Sequence, residues 1–300
     1  MHHLDRDVRQ AVLATLWSAT AVDGGPTSEQ EALLDVVGTH LLGIEGADLD
    51  GLEPFDAATA ITDPDLRRLV GEGLVTLEMM RHPASTTLVD RVDGYLDALG
   101  FAGPEQLLVR DAVAGERDRV VADWARTRSV PVGSPGIEEQ GAAVIDQLAG
   151  LGECAPGTLG WAFHEFTSRH GFTYEADHLS LVGHDFAHVI AGYEAVPEGE
   201  LALQAFLVSA TGGGAHASGL LASLLLDEVG LLPFPDIEPK VAVLDRPGAT
   251  ELFADAVLRG SRTAQDIQGL DHVALADQDL AALRAELGIA VPESGPFTLP

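Results

Sequence analysis

Two shortages narrow the explanations open to this chain: it has almost no cysteine and little basic charge. Cys154 is the single cysteine among 300 residues, so no disulfide framework can staple the fold, and a reducing compartment suits it. Lysine and arginine number 17 against 47 aspartates and glutamates, a formal net charge of -30. The acid is spread through most of the chain, and a field of that sign repels phosphate backbones and anionic bilayer surfaces, so nucleic acid is a poor partner. The plainest use of so much acid is solubility, including in a salt-rich setting. Internal repeats and long low-complexity tracts are also missing. The opening "MHHLDRDVRQAVLATL" mixes charges of both signs and lacks a long apolar run. No signal peptide is therefore expected, and the expected location is the cytoplasm.

Apolar residues, by contrast, are plentiful at 46%, enough for two ordinary cores, since domains run from about 50 to about 250 residues. From Leu201 to Leu226 no residue is charged, a length that could cross a bilayer by count alone. Its middle, "SATGGGAHAS", is too polar and glycine-rich for a lipid-facing span. Two buried helices joined at Gly212-Gly213-Gly214 are expected instead, and such apolar walls can also hold a lipid tail.

Helical spacing of apolar residues dominates elsewhere, so the fold class is all-α. The first helix runs to Gly24-Gly25. Pro26 and Thr27 open the next, with Gln30 three residues on at capping-box spacing. Asp63-Pro64 and Asp90 mark further starts. Residues 101 to 130 read as one connecting helix, and "VPVGSPGIEEQ" then breaks the periodicity. The division that follows is a helical domain over 1–103, a connecting helix and linker over 104–135, and a second helical domain over 136–300.

The second half carries the chemistry. Five of the eleven histidines, His164, His170, His178, His184 and His188, fall within 25 residues, and imidazole is both the commonest side-chain metal ligand and the commonest acid-base group. A helix from a Ser180 cap to Gly192 would bury Val182, Phe186, Val189 and Ile190 on one face. His184, Asp185 and His188 would fall on the other. Residues four apart stand one turn over each other, close enough for both rings to bind one ion. Pro197 can start a facing helix, and Glu200 in its first turn would return toward the two imidazoles. Two imidazoles and one carboxylate leave coordination positions open, as in catalytic rather than structural ions. For His164 a structural role is the plainer reading, and His170 and His178 have no assignment. Tyr193 is either packed or a donor to substrate, while His216 could reach the site from beyond the glycine run.

Two resemblances add to this reading. The turn "AVDGGPTSEQEAL", with Asp23, Gly24, Thr27 and the acids that follow, resembles the TerB-like helical domain first described among tellurite-resistance proteins. Some members bind a cation through such acids; for Asp23 and Glu31 the ordinary preference of turns and first helical turns for carboxylates suffices. Over about residues 131 to 291 the chain resembles the Coq4 family of ubiquinone-biosynthesis proteins. The resemblance rests on "APGTLGWAFHEF", on His184-Asp185-x-x-His188 followed after eleven residues by Glu200, on "GYEAVPEGELALQAF" and on "LRGSRTAQDIQGLDHVALADQDLAALRAELGI". The sequence departs from that family at Trp161 and His164, lacks an expected tryptophan in "DHVALADQDL", and adds the TerB-like half.

The Coq4 resemblance implies an all-helical, metal-binding protein associated with prenyl lipids and linked to oxidative decarboxylation and hydroxylation of a benzoquinone precursor. Carried over by position, His184, Asp185, His188 and Glu200 would be both the catalytic set and the ligands of zinc or another divalent ion such as iron, with Asp185 either a direct ligand or the group that orients a neighbouring imidazole. The helices after Leu201 would either line a groove for the isoprenoid chain or be plain core. The implied partner is a hydrophobic small molecule or prenyl lipid, with peripheral membrane contact and a homodimer left open. Two other readings stand beside it. One is a non-catalytic lipid-binding or scaffold protein. The other is an HD-type phosphohydrolase in which His184-Asp185 joins His164 or His170 and Asp227 around the ion.

Overall fold

The structure, a computed structural model, describes residues 4–44, 51–101, 104–127, 142–174, 181–231, 238–263 and 265–299. Among them every regular element is a helix, and the strand-like pairings are two isolated bridges, Thr158 with Asp279 and Tyr193 with Thr298. The all-α expectation holds. No described helix is long and apolar enough to cross a membrane.

Local chemistry sets most boundaries of the first half. Helix α1 (Arg6–Thr20) ends before the glycines, and Asp23, Gly24 and Gly25 form the turn at positive φ. Helix α2 (Ser28–Asp35) starts on the expected capping box, with Thr27 and Gln30 satisfying each other's backbone N–H. It continues into a π-helical segment, Val36–Leu42, closed by left-handed Gly43. After α3 (Pro54–Ala60), α4 (Pro64–Met79) opens where Asp63 accepts the Leu66 N–H at 2.8 Å. Helix α5 (Thr86–Leu99) starts earlier than Asp90 would have it. Ser85 caps it by accepting the Leu88 N–H at 3.1 Å, and buried Leu88 and Val89 extend its apolar stripe upstream. The single connecting helix expected over 101–130 is two, α6 (Pro104–Val113) and α7 (Arg117–Thr127), because Gly115 turns left-handed at φ 72° and ends the first. The linker read at "VPVGSPGIEEQ" lies outside the described residues.

Helices α8 (Ala142–Gly150), α9 (Leu159–His170), α10 (Val182–Ala191), α11 (Pro197–Thr211), α12 (Ala215–Asp227), α13 (Ala249–Gly260) and α14 (Leu280–Glu286) complete the chain. Helix α11 lies between α12 and α13, and these in turn rest on the first half, α12 against α4 and α13 against α2 and the π-helical segment. One apolar core therefore runs through both halves. The glycine turn between α11 and α12 docks on α4, where Arg68 donates to the Gly212 carbonyl at 3.2 Å and Glu72 accepts the Gly214 N–H at 3.3 Å.

The uncharged stretch is indeed two buried helices joined at Gly212-Gly213-Gly214. Leu201, Leu203, Phe206, Leu207, Leu224 and Leu225 are fully buried. A cavity of about 20 Å³ lies where α12 meets α4, room for one water.

Candidate metal centre

Helix α10 has the two faces its spacing requires. Val182, Phe186, Val189 and Ile190 are buried at 0 to 1% exposure, while His184 and His188 stand one turn apart on the other side. The expected cap, Ser180, lies outside the described residues; Leu181 holds the N-cap position and makes no side-chain cap. Gly192 ends the helix at φ 88°, its N–H on the His188 carbonyl at 2.8 Å. Two arginines close that end, where the last carbonyls of a helix otherwise lack partners. Arg284 donates to the carbonyls of Ile190 at 2.9 Å and Val189 at 2.7 Å, and Arg259 to that of Ala191 at 2.7 Å.

The return from α10 to α11 is tight for a steric reason. A Cβ on Gly199 would stand 2.0 Å from the Glu194 carbonyl oxygen, so the first turn of α11 lies directly on the preceding loop. Pro197 occupies the start of the helix, where its missing N–H costs nothing. Glu200, one residue after that glycine, is thereby aimed back at α10.

Three side chains meet there. His184 Nε2 lies 3.0 Å from Glu200 Oε2, His188 Nε2 lies 3.0 Å from Glu200 Oε1, and the two imidazole nitrogens are 3.2 Å apart. Among the described residues this is the grouping of histidine, cysteine or acid whose donor atoms converge enough to share an ion. His188 Nδ1 faces the Tyr193 carbonyl at 3.2 Å. A carbonyl only accepts, so Nδ1 carries a proton, and Nε2 is the nitrogen turned to Glu200 and His184. The three groups face one point, where they can share protons among themselves or hold a metal ion. The donor set fits a divalent ion of the zinc or iron kind.

Electrostatics agree with that geometry. Burial alone would raise the Glu200 carboxyl, but the two imidazoles outweigh it and hold it far below the usual carboxylate range. Burial disfavours charge on His184, yet Glu200, with a smaller share from Asp185, raises its pKa. Exposure is graded: the His188 side chain is 0% exposed, His184 18% and Glu200 31%. One side of the trio is thus anchored and the other reachable. Phe166 stacks on the His188 ring, and Phe172 stacks on His170 beside it. Leu181, three residues before His184 and half-exposed, lies one turn away on the same face.

Asp185 stands outside the trio. Its Oδ2 accepts the Tyr174 hydroxyl at 2.6 Å, and its carboxyl is buried, which raises its pKa against the pull of the neighbouring imidazoles. The wheel placed it correctly beside the histidines but could not show that a tyrosine from beyond α9 takes it. His164 packs against Gly152, and His170 pairs with Glu194 at 2.9 Å. His216 faces Asp266 at 3.2 Å, and His178 is outside the described residues. The alternative constellation of His184 and Asp185 with His164 or His170 and Asp227 is not assembled among the described residues. Tyr193 is fully buried with its hydroxyl on Arg259, so it packs rather than meets substrate. Asp23 accepts from Ser85, and its carbonyl accepts from Arg81, a turn-building role. Residue patterns gave no warning of Tyr174, Arg259 or Arg284. The two arginines lie in the C-terminal segment already singled out, which proves to be the clamp on α10.

No family profile matches the chain, and no curated protein matches it. A solved structure that does is a crystal structure, from Nostoc punctiforme, of a protein named for ubiquinone biosynthesis. It is 19% identical, with 73% of this chain and 96% of that one covered and a TM-score of 0.35.

Proposed function

We propose that His184, His188 and Glu200 hold one divalent ion, zinc or iron, in a catalytic site, and that the protein acts on the aromatic head group of a prenylated lipid, as the Coq4 resemblance implies. The observation that carries the first part is the convergence of two imidazole nitrogens and one carboxylate within about 3 Å of each other. The ion when bound supplies Lewis acidity, favouring the negative charge that develops on a phenolic ring as its carboxylate leaves as CO2, or on a ring oxygen as it ionises. The chain's own groups do the rest. The Tyr193 carbonyl orients His188 through its Nδ1–H, and the first turn of α11 presents Glu200. Leu181, one turn from His184, offers apolar surface on that face of α10.

The test is metal analysis and lipid mass spectrometry on the purified protein. A divalent ion near one per chain, removed by chelators and absent from Glu200→Ala, with a prenylated aromatic extracted beside it, is the expected result. A chain that is metal-free and indifferent to chelators refutes the reading. Glu200→Ala also separates an enzyme, which stays folded and loses turnover, from a scaffold, which keeps its partners.

A further inference from the structure

Resting on that metal reading, we infer that Glu194 is a positioning residue, which ties the turn between α10 and α11 to the last turn of α9 and thereby sets His188 and Glu200 against each other. It stands midway in sequence between those two residues, in the turn that carries one to the other. Its side chain is 16% exposed and accepts from two groups of α9, Arg169 on Oε1 at 3.0 Å and His170 Nε2 on Oε2 at 2.9 Å. A carboxylate only accepts, so His170 carries a proton at Nε2. The backbone of Glu194 fixes the turn from other sides. Its N–H donates to the Phe297 carbonyl at 3.0 Å, and the Leu299 N–H donates to the Gly192 carbonyl at 3.0 Å. These bonds flank the pairing of Tyr193 with Thr298. The Glu194 carbonyl oxygen is also the atom on which Gly199 is seated.

What this arrangement holds is a pair of ligands. The Tyr193 carbonyl, one peptide before Glu194, faces His188 Nδ1 at 3.2 Å, and such an outer bond fixes the direction in which the other ring nitrogen meets an ion. Phe166, one turn before His170, covers the face of the same imidazole, with centroids 5.6 Å apart and planes 23° from parallel. The last turn of α9 therefore sets the plane of His188 through Phe166 and its edge through Glu194. On the other side, Gly199 on the Glu194 carbonyl carries Glu200. Displacing Glu194 moves an imidazole and a carboxylate at once. Each of these contacts uses atoms other than the Nε2 and Oε atoms of the trio, so they do not compete with an ion.

Zn²⁺ competition titrations on the full chain, paired with denaturant unfolding of the metal-free form, test this with Glu194→Gln, His170→Phe and His170→Gln. Glu194→Gln sets an amide N–H against a donor of α9, and His170→Phe keeps a ring beside Phe166 but removes the donor. Each should lower Zn²⁺ affinity by roughly tenfold, the scale on which groups that hold ligands act. His170→Gln returns an N–H near the place of Nε2 and should restore wild-type affinity. In the Zn²⁺-loaded protein, the His188 Nδ1–H followed by NMR should exchange with solvent faster in the two weakened variants. Affinity is read on folded protein, so a merely structural Glu194 would lower the unfolding free energy and leave both the affinity and this proton unchanged. That outcome overturns the proposal while the metal site stands, as does His170→Phe binding like wild type or His170→Gln binding as weakly as His170→Phe. Should Glu194→Gln fail to fold, the two His170 variants decide. Wild type that takes up no Zn²⁺ instead removes the reading beneath it.

Discussion

Glu200 governs the centre, because one carboxylate answers both imidazoles. Glu200→Gln keeps its size and removes its charge, so Zn²⁺ affinity should fall by more than the roughly 10- to 100-fold seen when outer supporting groups are lost; competition against a chromophoric chelator measures it. The same variant should lower the pKa of His184 in chelated protein. Burial already disfavours the imidazolium there, and Glu200 is what raises it, so without that charge burial prevails. The NMR titration of the His184 ring reports the shift, and an unchanged midpoint would contradict the pairing. His184 and His188 were legible as a pair, with Asp185 beside them, because a turn-by-turn helix fixes which residues share a face; Glu200, on the next helix, was expected from the tight return at Pro197. Asp185 shows the limit: a wheel gives direction from the axis but not the neighbour that accepts or donates, and Tyr174 arrives from a different segment.

Elements deliver these residues, and their ends matter more than their middles. Gly199→Ala would set a methyl 2.0 Å from the Glu194 carbonyl oxygen and push the first turn of α11 away from the loop. Overpacking of this kind costs about 1–3 kcal/mol, and because Glu200 is the next residue, metal affinity should fall together with thermal stability. A variant that loses stability but binds Zn²⁺ normally would show that the turn does not aim Glu200. Arg259→Ala removes a 4% exposed guanidinium from the carbonyls of Ala191 and Ala290. The Ala191 carbonyl is buried, and a buried carbonyl left without a donor costs about 1–3 kcal/mol, so denaturant unfolding should show a loss of about that size. Helix starts with a nearby cap were readable in advance, as at Thr27 and Asp63. The early start of α5 and the break at Gly115 were not, because competing caps and glycines a few residues apart are chosen by which residues the core buries.

Over the whole molecule, buried acids tie stability to pH. Glu78 in α4 is 3% exposed with Oε1 lacking a hydrogen-bond partner, and burial, aided by Asp93 and opposed by Arg110, pushes its pKa up to about 8. Burial likewise lifts Glu228 to about 7. A carboxyl whose folded pKa lies above its unfolded value of about 4.5 favours folding fully at low pH and loses that contribution as pH rises through the folded value. The part of stability due to these two groups should therefore decline between about pH 4.5 and pH 8. Glu78→Gln should raise Tm at pH 8, leave it nearly unchanged at pH 5 and flatten the slope between, measured at constant metal load. A parallel offset at both pH values would contradict a neutral buried Glu78.

Periodicity and caps determined the helical class, the apolar back of α10 and the pairing of His184 with His188, since each depends on neighbours within one or two turns, and the short return at Pro197 pointed to Glu200. Tertiary structure alone decided the rest. It turned the uncharged stretch into core shared by both halves, placed Arg259 and Arg284 on the end of α10, and gave Asp185 to Tyr174. Those outcomes depend on which distant segments meet, and a chain read residue by residue carries the local preferences of each segment but not the distances between them.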